Sequence, residues 1–544
     1  MKKTALLAIL LPLLANGEEL EKEITIEREI VPELRAATRL NIYPGLMRPD
    51  LRPVELSFRD FAQWSALTPM LSPYEPAYTG AAVEQSPWRG YVKGAYATEK
   101  NGELEAGYRA VSTGRTLLDF GIEGRYTDYK RRSDLFDEKV AVKRAEAGAR
   151  AGFSHRFDGG KLSLDTRFLF SRVNHPEELL DPSRNAVDWR FGAKWEGESE
   201  GKGLRYGFRG DYRLFNFGRA AAEDLQPMRQ HGFSLGGNAL QEIDSHSSAG
   251  VDISGSFLNF NHFGEIEDKG KTQGYIALRP HWVFDNGTVT ARVGIRADFS
   301  FNAGKKVHVA PDILAGYNPE SWLGIALRLG GGEHLNPLAE LYREASCFSP
   351  YFSYGMSHIP FEGELKFRVG PFRGFAVEVG AAYSAANNWL MPLYAQELPV
   401  WGAFDLRSVK AGARLSWQYR SIVGLAVGFE AVCSEGPRGD WYQWRDRSRQ
   451  RLGAEVSVKP LEKLEIKLGY SRRMDRTMAC FDGAEVYYAN LRDYDNLEAE
   501  VSYEVLKPLR VFVGGENLLD NRSMEPFGIP DQGIRGRVGV LFRF

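Results

Sequence analysis

The sequence predicts an all-β fold, a transmembrane antiparallel β-barrel of about 22 strands with an extended N-terminal segment. Three observations predict it. From Trp88 onward the chain runs in alternating apolar and polar segments, short and long connections take turns between them, and the last segment ends on an aromatic residue, Phe544. Composition agrees: Gly is 57 of 544 residues and aromatics are 12%, while mean hydropathy is only −0.35. A membrane barrel has such weak hydropathy because only alternate residues face lipid.

The first element is residues 1–17. Met1-Lys2-Lys3 is a basic start, Ala5 to Leu14 is an apolar run, and Ala15-Asn16-Gly17 supplies small residues at a cleavage site. This is the pattern of a secretory signal peptide, too short to span a bilayer. No later apolar stretch approaches the length of a membrane helix. Residues 18–87 follow, with prolines at 32, 44, 49, 53, 69, 73 and 76 and charges without periodicity, and read as an extended periplasmic or lumenal segment.

Residues 88–544 are the expected barrel. Trp189, Phe191, Ala193 and Trp195 alternate with Arg190, Gly192, Lys194 and Glu196. Tyr206, Phe208, Gly210 and Tyr212 alternate with Arg205, Gly207, Arg209, Asp211 and Arg213. Leu464, Ile466, Leu468 and Tyr470 alternate with Glu465, Lys467 and Gly469, and Leu497, Ala499, Val501 and Tyr503 with Glu498, Glu500, Ser502 and Glu504. A period of two gives a strand one apolar and one polar face. Short turns are expected at 112–115, 158–161, 200–203, 243–246, 285–287, 318–321, 370–373, 420–422, 460–463 and 506–508. Between them stand mostly long connections, among them 172–187, 216–229, 332–358, 384–405, 434–449 and 472–491, with 98–103 and 302–306 short. Barrels of the outer membrane carry short periplasmic turns and longer outer loops. In the final strand Val538, Val540, Phe542 and Phe544 face lipid, and Phe542 and Phe544 read as the insertion signal for the barrel assembly machinery.

The tail Glu516-Asn517-Leu518-Leu519-Asp520-Asn521-Arg522, then Gly533-Ile534-Arg535-Gly536-Arg537 and the closing Leu541-Phe542-Arg543-Phe544, resembles the C-terminal end of TonB-dependent receptors. Leu519 stands where that family commonly has Phe. The resemblance implies a barrel of 22 strands and nutrient uptake across the outer membrane. It covers 88–544; the family's plug domain has no counterpart in the 18–87 pattern, as in Bacteroidetes-type members lacking a full plug. Glu23-Ile24-Thr25-Ile26-Glu27 resembles a TonB box, with Ile24, Thr25 and Ile26 as its core, a segment that would add to a sheet edge of TonB. A surface lipoprotein acting as lid is a further partner the resemblance implies. A barrel reused as a scaffold for lipoproteins or other envelope proteins, without transport, is the alternative.

The expected lumen wall carries both signs: Arg150, Arg190, Lys194, Arg205, Arg209, Asp211, Arg213, Arg414, Glu455, Glu465, Lys467, Glu498, Glu500, Glu504, Arg535 and Arg537. Such a wall either pairs across strands or also holds 18–87 through Glu27, Arg28, Glu29, Glu33, Arg35 and Arg39. The outer loops are aromatic. Trp389, Tyr394, Trp401, Trp441, Tyr442 and Trp444 are candidate ligand contacts, with an interfacial aromatic girdle and loop packing as the plainer reading. Tyr342, Phe348, Tyr351, Phe352 and Tyr354 crowd the 332–358 loop. Membrane lipids are the remaining expected partner.

Enzyme motifs are absent: there is no HExxH, P-loop or GxSxG, and neither cofactor nor metal is expected. Gly330-Gly331-Gly332 reads as a turn at a strand end, since no helix and Lys follow. His308, His334 and His358 with Asp312 or Glu333 are the one combination that could serve a hydrolase or metal site if the fold gathers them. A net charge of −2 gives no reason to expect nucleic acid. Of the three cysteines, Cys433 and Cys480 fall in neighbouring loops and either pair or remain thiols; Cys347 is apart.

Overall fold

The structure is a computed structural model. It describes residues 88–132, 139–174, 183–199, 203–218, 228–262, 271–346, 348, 355–393, 400–420, 422–435, 441–442, 448–481, 486–522 and 532–544. Residues 1–17, read above as a signal peptide, the 18–87 segment with its expected Ile24-Thr25-Ile26 core, Cys347, Tyr394 and Trp444 lie outside the described residues.

The first half of the barrel is β1 (Gly90–Ala97), β2 (Asn101–Ser112), β3 (Thr116–Arg132), β4 (Lys139–Phe157), β5 (Gly160–Asn174), β6 (Ser183–Ser199), β7 (Leu204–Phe217), β8 (Met228–Glu242), β9 (Ser247–His262), β10 (Thr272–Asp285), β11 (Val289–Phe301) and β12 (Val307–Glu320). Then come β13 (Leu323–His334), the helix α1 (Leu338–Glu344), β14 (Ser357–Phe372), β15 (Phe375–Leu393), β16 (Val400–Tyr419) and β17 (Val423–Glu435). The chain ends with β18 (Trp441–Tyr442), β19 (Ser448–Leu461), β20 (Leu464–Phe481), β21 (Val486–Leu491), β22 (Tyr494–Leu506), β23 (Leu509–Glu516) and β24 (Arg535–Arg543).

Neighbours in sequence pair antiparallel all the way round, and β1 pairs with β24, Val92 opposite Phe542. The sheet therefore has no edge, which removes the row of unpaired backbone groups that lipid cannot satisfy. β18 and β21 are short outer flaps: β17 pairs past one to β19, and β20 past the other to β22. Taking those two from the 24 strands of the sheet leaves 22 staves. For a circular section, strand spacing and tilt put the backbone wall roughly 45 Å across.

Each of the ten expected short turns is a strand connection at one end of the barrel, the end that also holds Gly90 and Phe544. The long connections are shorter than the alternation predicts. Where 384–405 was expected to be a loop, β15 and β16 continue, with Trp389 opposite Phe404 and Leu390 opposite Ala403. β20 likewise runs to Phe481 and is capped by β21. Past the lipid belt the ladder persists while the demand for one apolar face ends, so backbone pairing outlasts the sequence pattern.

The two faces separate as period two requires. Phe120, Ile122, Phe191, Phe208, Phe233, Leu235, Ile253, Val293, Ile295, Val538 and Val540 stand exposed on the convex face. The intervening residues carry the charges and make ion pairs. At the short-turn end, outward rings cluster into a girdle: Phe157 with Trp195 at 5.7 Å between centroids, Trp322 with Phe372 at 5.2 Å, Phe375 with Trp417 at 5.5 Å, and Phe544 with Tyr108 at 6.2 Å. Aromatic rings belong at such an interface because they are amphipathic. Among the described residues no helix is long and apolar enough to cross a membrane; the crossing is made by strands.

One expectation is corrected and one open alternative is resolved. Gly330-Gly331-Gly332 is no turn: β13 runs through it to His334, and the register against β14 shifts between Gly330 and Gly332. Gly332 takes φ +137°, and a Cβ there would collide with the Arg296 guanidinium, so the bulge makes room for that side chain. Cys433 and Cys480 do not pair; both are free thiols, the first half-buried and the second buried.

Candidate functional site: the lumen and its inward loop

The inner wall is laced with ion pairs. Arg190 and Arg213 both donate to Asp188, at 2.9 and 2.7 Å, and Arg209 donates to Asp211 at 2.6 Å. Arg205 reaches Glu242 at 2.6 Å, and Lys194 reaches Glu196 at 2.6 Å. On the far side Arg537 joins Glu500 and Glu516, Arg535 joins Glu516, and Glu465 lies within 3.7 Å of Lys467 and Arg510. Glu498 accepts from Asn496 at 2.7 Å, and Arg414 stands opposite Glu378 on the adjacent strand. Each exposed pair contributes little by itself. Together they leave a solute facing a polar wall.

The outer half of the lumen is different. On β7 the inward row reads Arg209, Asp211, Arg213, and then Phe215 and Phe217, which are almost fully buried. Ala186 on β6, Met228 on β8, and Leu258 and Phe260 on β9 share that inward face and are also buried. What buries them is the loop after β13. Leu338, Ala339, Leu341 and Tyr342 of α1, with Phe348 beyond it, pack on these side chains, and Phe217 stacks on Phe348 at 5.2 Å. The loop thus leaves β13 and folds inside the barrel to reach β5–β9.

Polar contacts fix it there. The Leu338 N–H donates to Gln230 Oε1 at 2.9 Å, Tyr342 Oη and Ser171 Oγ are 2.9 Å apart, and Arg184 Nη1 donates to the Phe348 carbonyl at 3.3 Å. Local sequence allows the helix: Pro337 precedes its first turn, Glu340 lies in that turn, and Arg343 in the last. Seven residues make a helix about 10 Å long, so the loop narrows the mouth along one side.

A clasp holds both ends of the loop. Glu333 precedes it and His358 follows it, and His358 Nδ1 lies 2.8 Å from Glu333 Oε1. Asp298, fully buried, accepts from the Glu333 N–H at 2.7 Å and from Arg296 Nε at 2.8 Å. His308 packs edge-on against His358, 4.2 Å between centroids. The structure therefore gathers His308, His358 and Glu333. Asp312 goes instead to Arg292 at 2.8 Å, and His334 stacks on Trp389 at 5.5 Å. Among the described residues no three His, Cys, Asp or Glu side chains are placed to hold a metal ion.

The aromatic loop candidates part company. Trp401 is buried beside Phe348, 6.0 Å between centroids, and so supports the inward loop. Trp389 lies on β15 under His334. Trp441 and Tyr442 form β18, antiparallel to Glu435 and Ser434. The sequence reading missed Phe215, Phe217 and Phe260 as lumen residues. The signal was present: Leu214-Phe215 and Phe257-Leu258 are apolar on both faces at strand ends, the mark of a strand buried on both sides.

No protein-family model matches this sequence, and no curated protein matches it. Solved structures do match the fold. The FrpB iron transporter from Neisseria meningitidis aligns with TM-score 0.64 at 11% identity, over 85% of this chain and 82% of its own. The siderophore receptor PirA from Acinetobacter baumannii aligns with TM-score 0.65 at 9% identity, over 84% and 80%. The ferric enterobactin receptor PfeA from Pseudomonas aeruginosa aligns with TM-score 0.61 at 10% identity, over 84% and 80%. Identity this low speaks for the fold alone. With its closed sheet, lipid-facing belt and aromatic girdle, the chain is an outer-membrane β-barrel that resembles TonB-dependent receptors in fold.

Proposed function

We propose that this barrel takes a nutrient across the outer membrane, and that the loop of residues 335–348 narrows its mouth. The observation that supports this most is the change along the lumen, from a wall of ion pairs to an apolar collar filled by α1. A polar wall solvates a passing solute, and an inward loop restricts which solutes enter. The neighbours in fold are described as transporters and receptors, which favours uptake over catalysis. TonB contact through Ile24-Thr25-Ile26 and a surface lipoprotein lid belong to the same proposal.

Single-channel conductance in planar bilayers tests it, on the full chain and on a version lacking 18–87. Conductance steps in either form support passage through the lumen. A silent barrel in both forms, together with stoichiometric co-purification of envelope proteins, would make the scaffold reading the better one.

A further inference from the structure

Four arginines stand side by side on the inner wall. Arg150 on β4 is directly opposite Arg167 on β5, Arg167 is opposite Arg190 on β6, and Arg190 is opposite Arg213 on β7. Like charges directly opposite one another across a sheet destabilise it. Where the wall sets an arginine between carboxylates, two acids serve one base: Arg292 joins Asp252 and Asp312, and Arg537 joins Glu500 and Glu516. In the row the ratio is inverted. Asp188 serves both Arg190 and Arg213, Glu123 takes Arg167 at 2.6 Å, and Arg150 donates to the Tyr91 hydroxyl at 3.3 Å.

The row is also open to the lumen. The Arg167 and Arg190 side chains are 51% and 41% exposed. The carboxylates nearest on the turn side, Asp119, Asp165 and Asp211, alternate with Gly152 and Gly192, and Asp211 is held by Arg209. From above, the inward loop brings a fifth guanidinium. It is Arg343 of α1, next in sequence to Tyr342, whose hydroxyl meets Ser171 of β5 and whose ring packs on Phe215 of β7. Glu340, 4.0 Å away, is its own ion partner.

Resting on the uptake reading, we propose that Arg150, Arg167, Arg190 and Arg213, with Arg343 above them, form a binding site for an oxyanion-bearing solute. Its class is a small molecule with two or more phosphate or carboxylate groups about 5 Å apart, the spacing of adjacent strands. Arginine suits this role because its planar fork binds such groups bidentately.

The test is calorimetric titration of the detergent-purified full chain with tripolyphosphate and with citrate, which needs no conduction. Saturable binding is expected, weakening as salt rises. Arg190→Gln should weaken it at least tenfold and Arg167→Gln/Arg190→Gln should abolish it, while Arg115→Gln, in the turn after β2 and paired with Asp158, leaves it within threefold. Heat-modifiable migration on gels verifies that each variant is a folded barrel. Absence of saturable binding by the full chain, or equal affinity in the folded double variant, overturns the proposal. A silent barrel in the bilayer experiment would remove the uptake reading and leave this result to stand separately.

Discussion

Tyr342 on the inward loop and Ser171 on β5 share a buried hydrogen bond, 2.9 Å from Oη to Oγ, across 171 residues of sequence. β5 is eight staves from β13, where the loop begins, so the contact is made through the lumen and not along the wall. It ties the narrowing of the mouth to a particular stretch of barrel.

Loosening this loop should widen the mouth. Leu338 is fully buried, and Leu338→Ala should cost the loop about 2–5 kcal/mol of packing. Tyr342→Phe should cost about 1 kcal/mol. We expect larger unit conductance and faster proteolysis within 335–346 in the first, smaller changes in the second, and unaltered barrel migration in both. Unchanged conductance in Leu338→Ala would show that the loop does not set the pore.

The face assignment makes a paired prediction on adjacent residues. Leu235 is 67% exposed on the convex face, and Ser234 points inward within 3.2 Å of Ser256. Leu235→Arg should destabilise the barrel by about 2–4 kcal/mol if it lies near the bilayer midplane. Ser234→Arg, facing the polar lumen, should cost far less. Denaturant titration in lipid vesicles compares them, and equal costs would refute the assignment.

Gly332→Ala should act through Arg296. The new methyl meets the guanidinium, and the left-handed backbone is strained for any residue with a Cβ, together on the order of 1–3 kcal/mol. Thermal melting should fall relative to Gly287→Ala, which also has positive φ but lies in an open turn. Equal shifts would mean that backbone conformation alone matters at 332.

Removal of Phe544 should hinder insertion. Its backbone closes the barrel, N–H to the Gly90 carbonyl at 2.9 Å and carbonyl to the Gly90 N–H at 2.8 Å, and its ring packs on Phe542 at 6.1 Å. The fraction recovered in outer-membrane preparations should drop severalfold, and Phe542→Ala should lower it less. Normal recovery of the truncated chain would set aside the insertion role of this terminus.

The sequence by itself determined the class, the ten turns and the 22 staves, because these are local. Alternation such as Arg205–Arg213 needs only period two, and Asp285-Asn286-Gly287 makes its own turn, with Asn286 Oδ1 accepting from the N–H of Val289 at 2.7 Å. The charged face was legible for the same reason. Only the tertiary structure decided what depends on register and on closure. Arg150, Arg167, Arg190 and Arg213 form a row because four strands align at those residues, which no spacing along the chain specifies. Phe215 and Phe217 became a core, and 335–348 a constriction, through contacts between residues more than a hundred positions apart. Gly332 bulges because Arg296, on a strand two staves away, needs the space of a side chain.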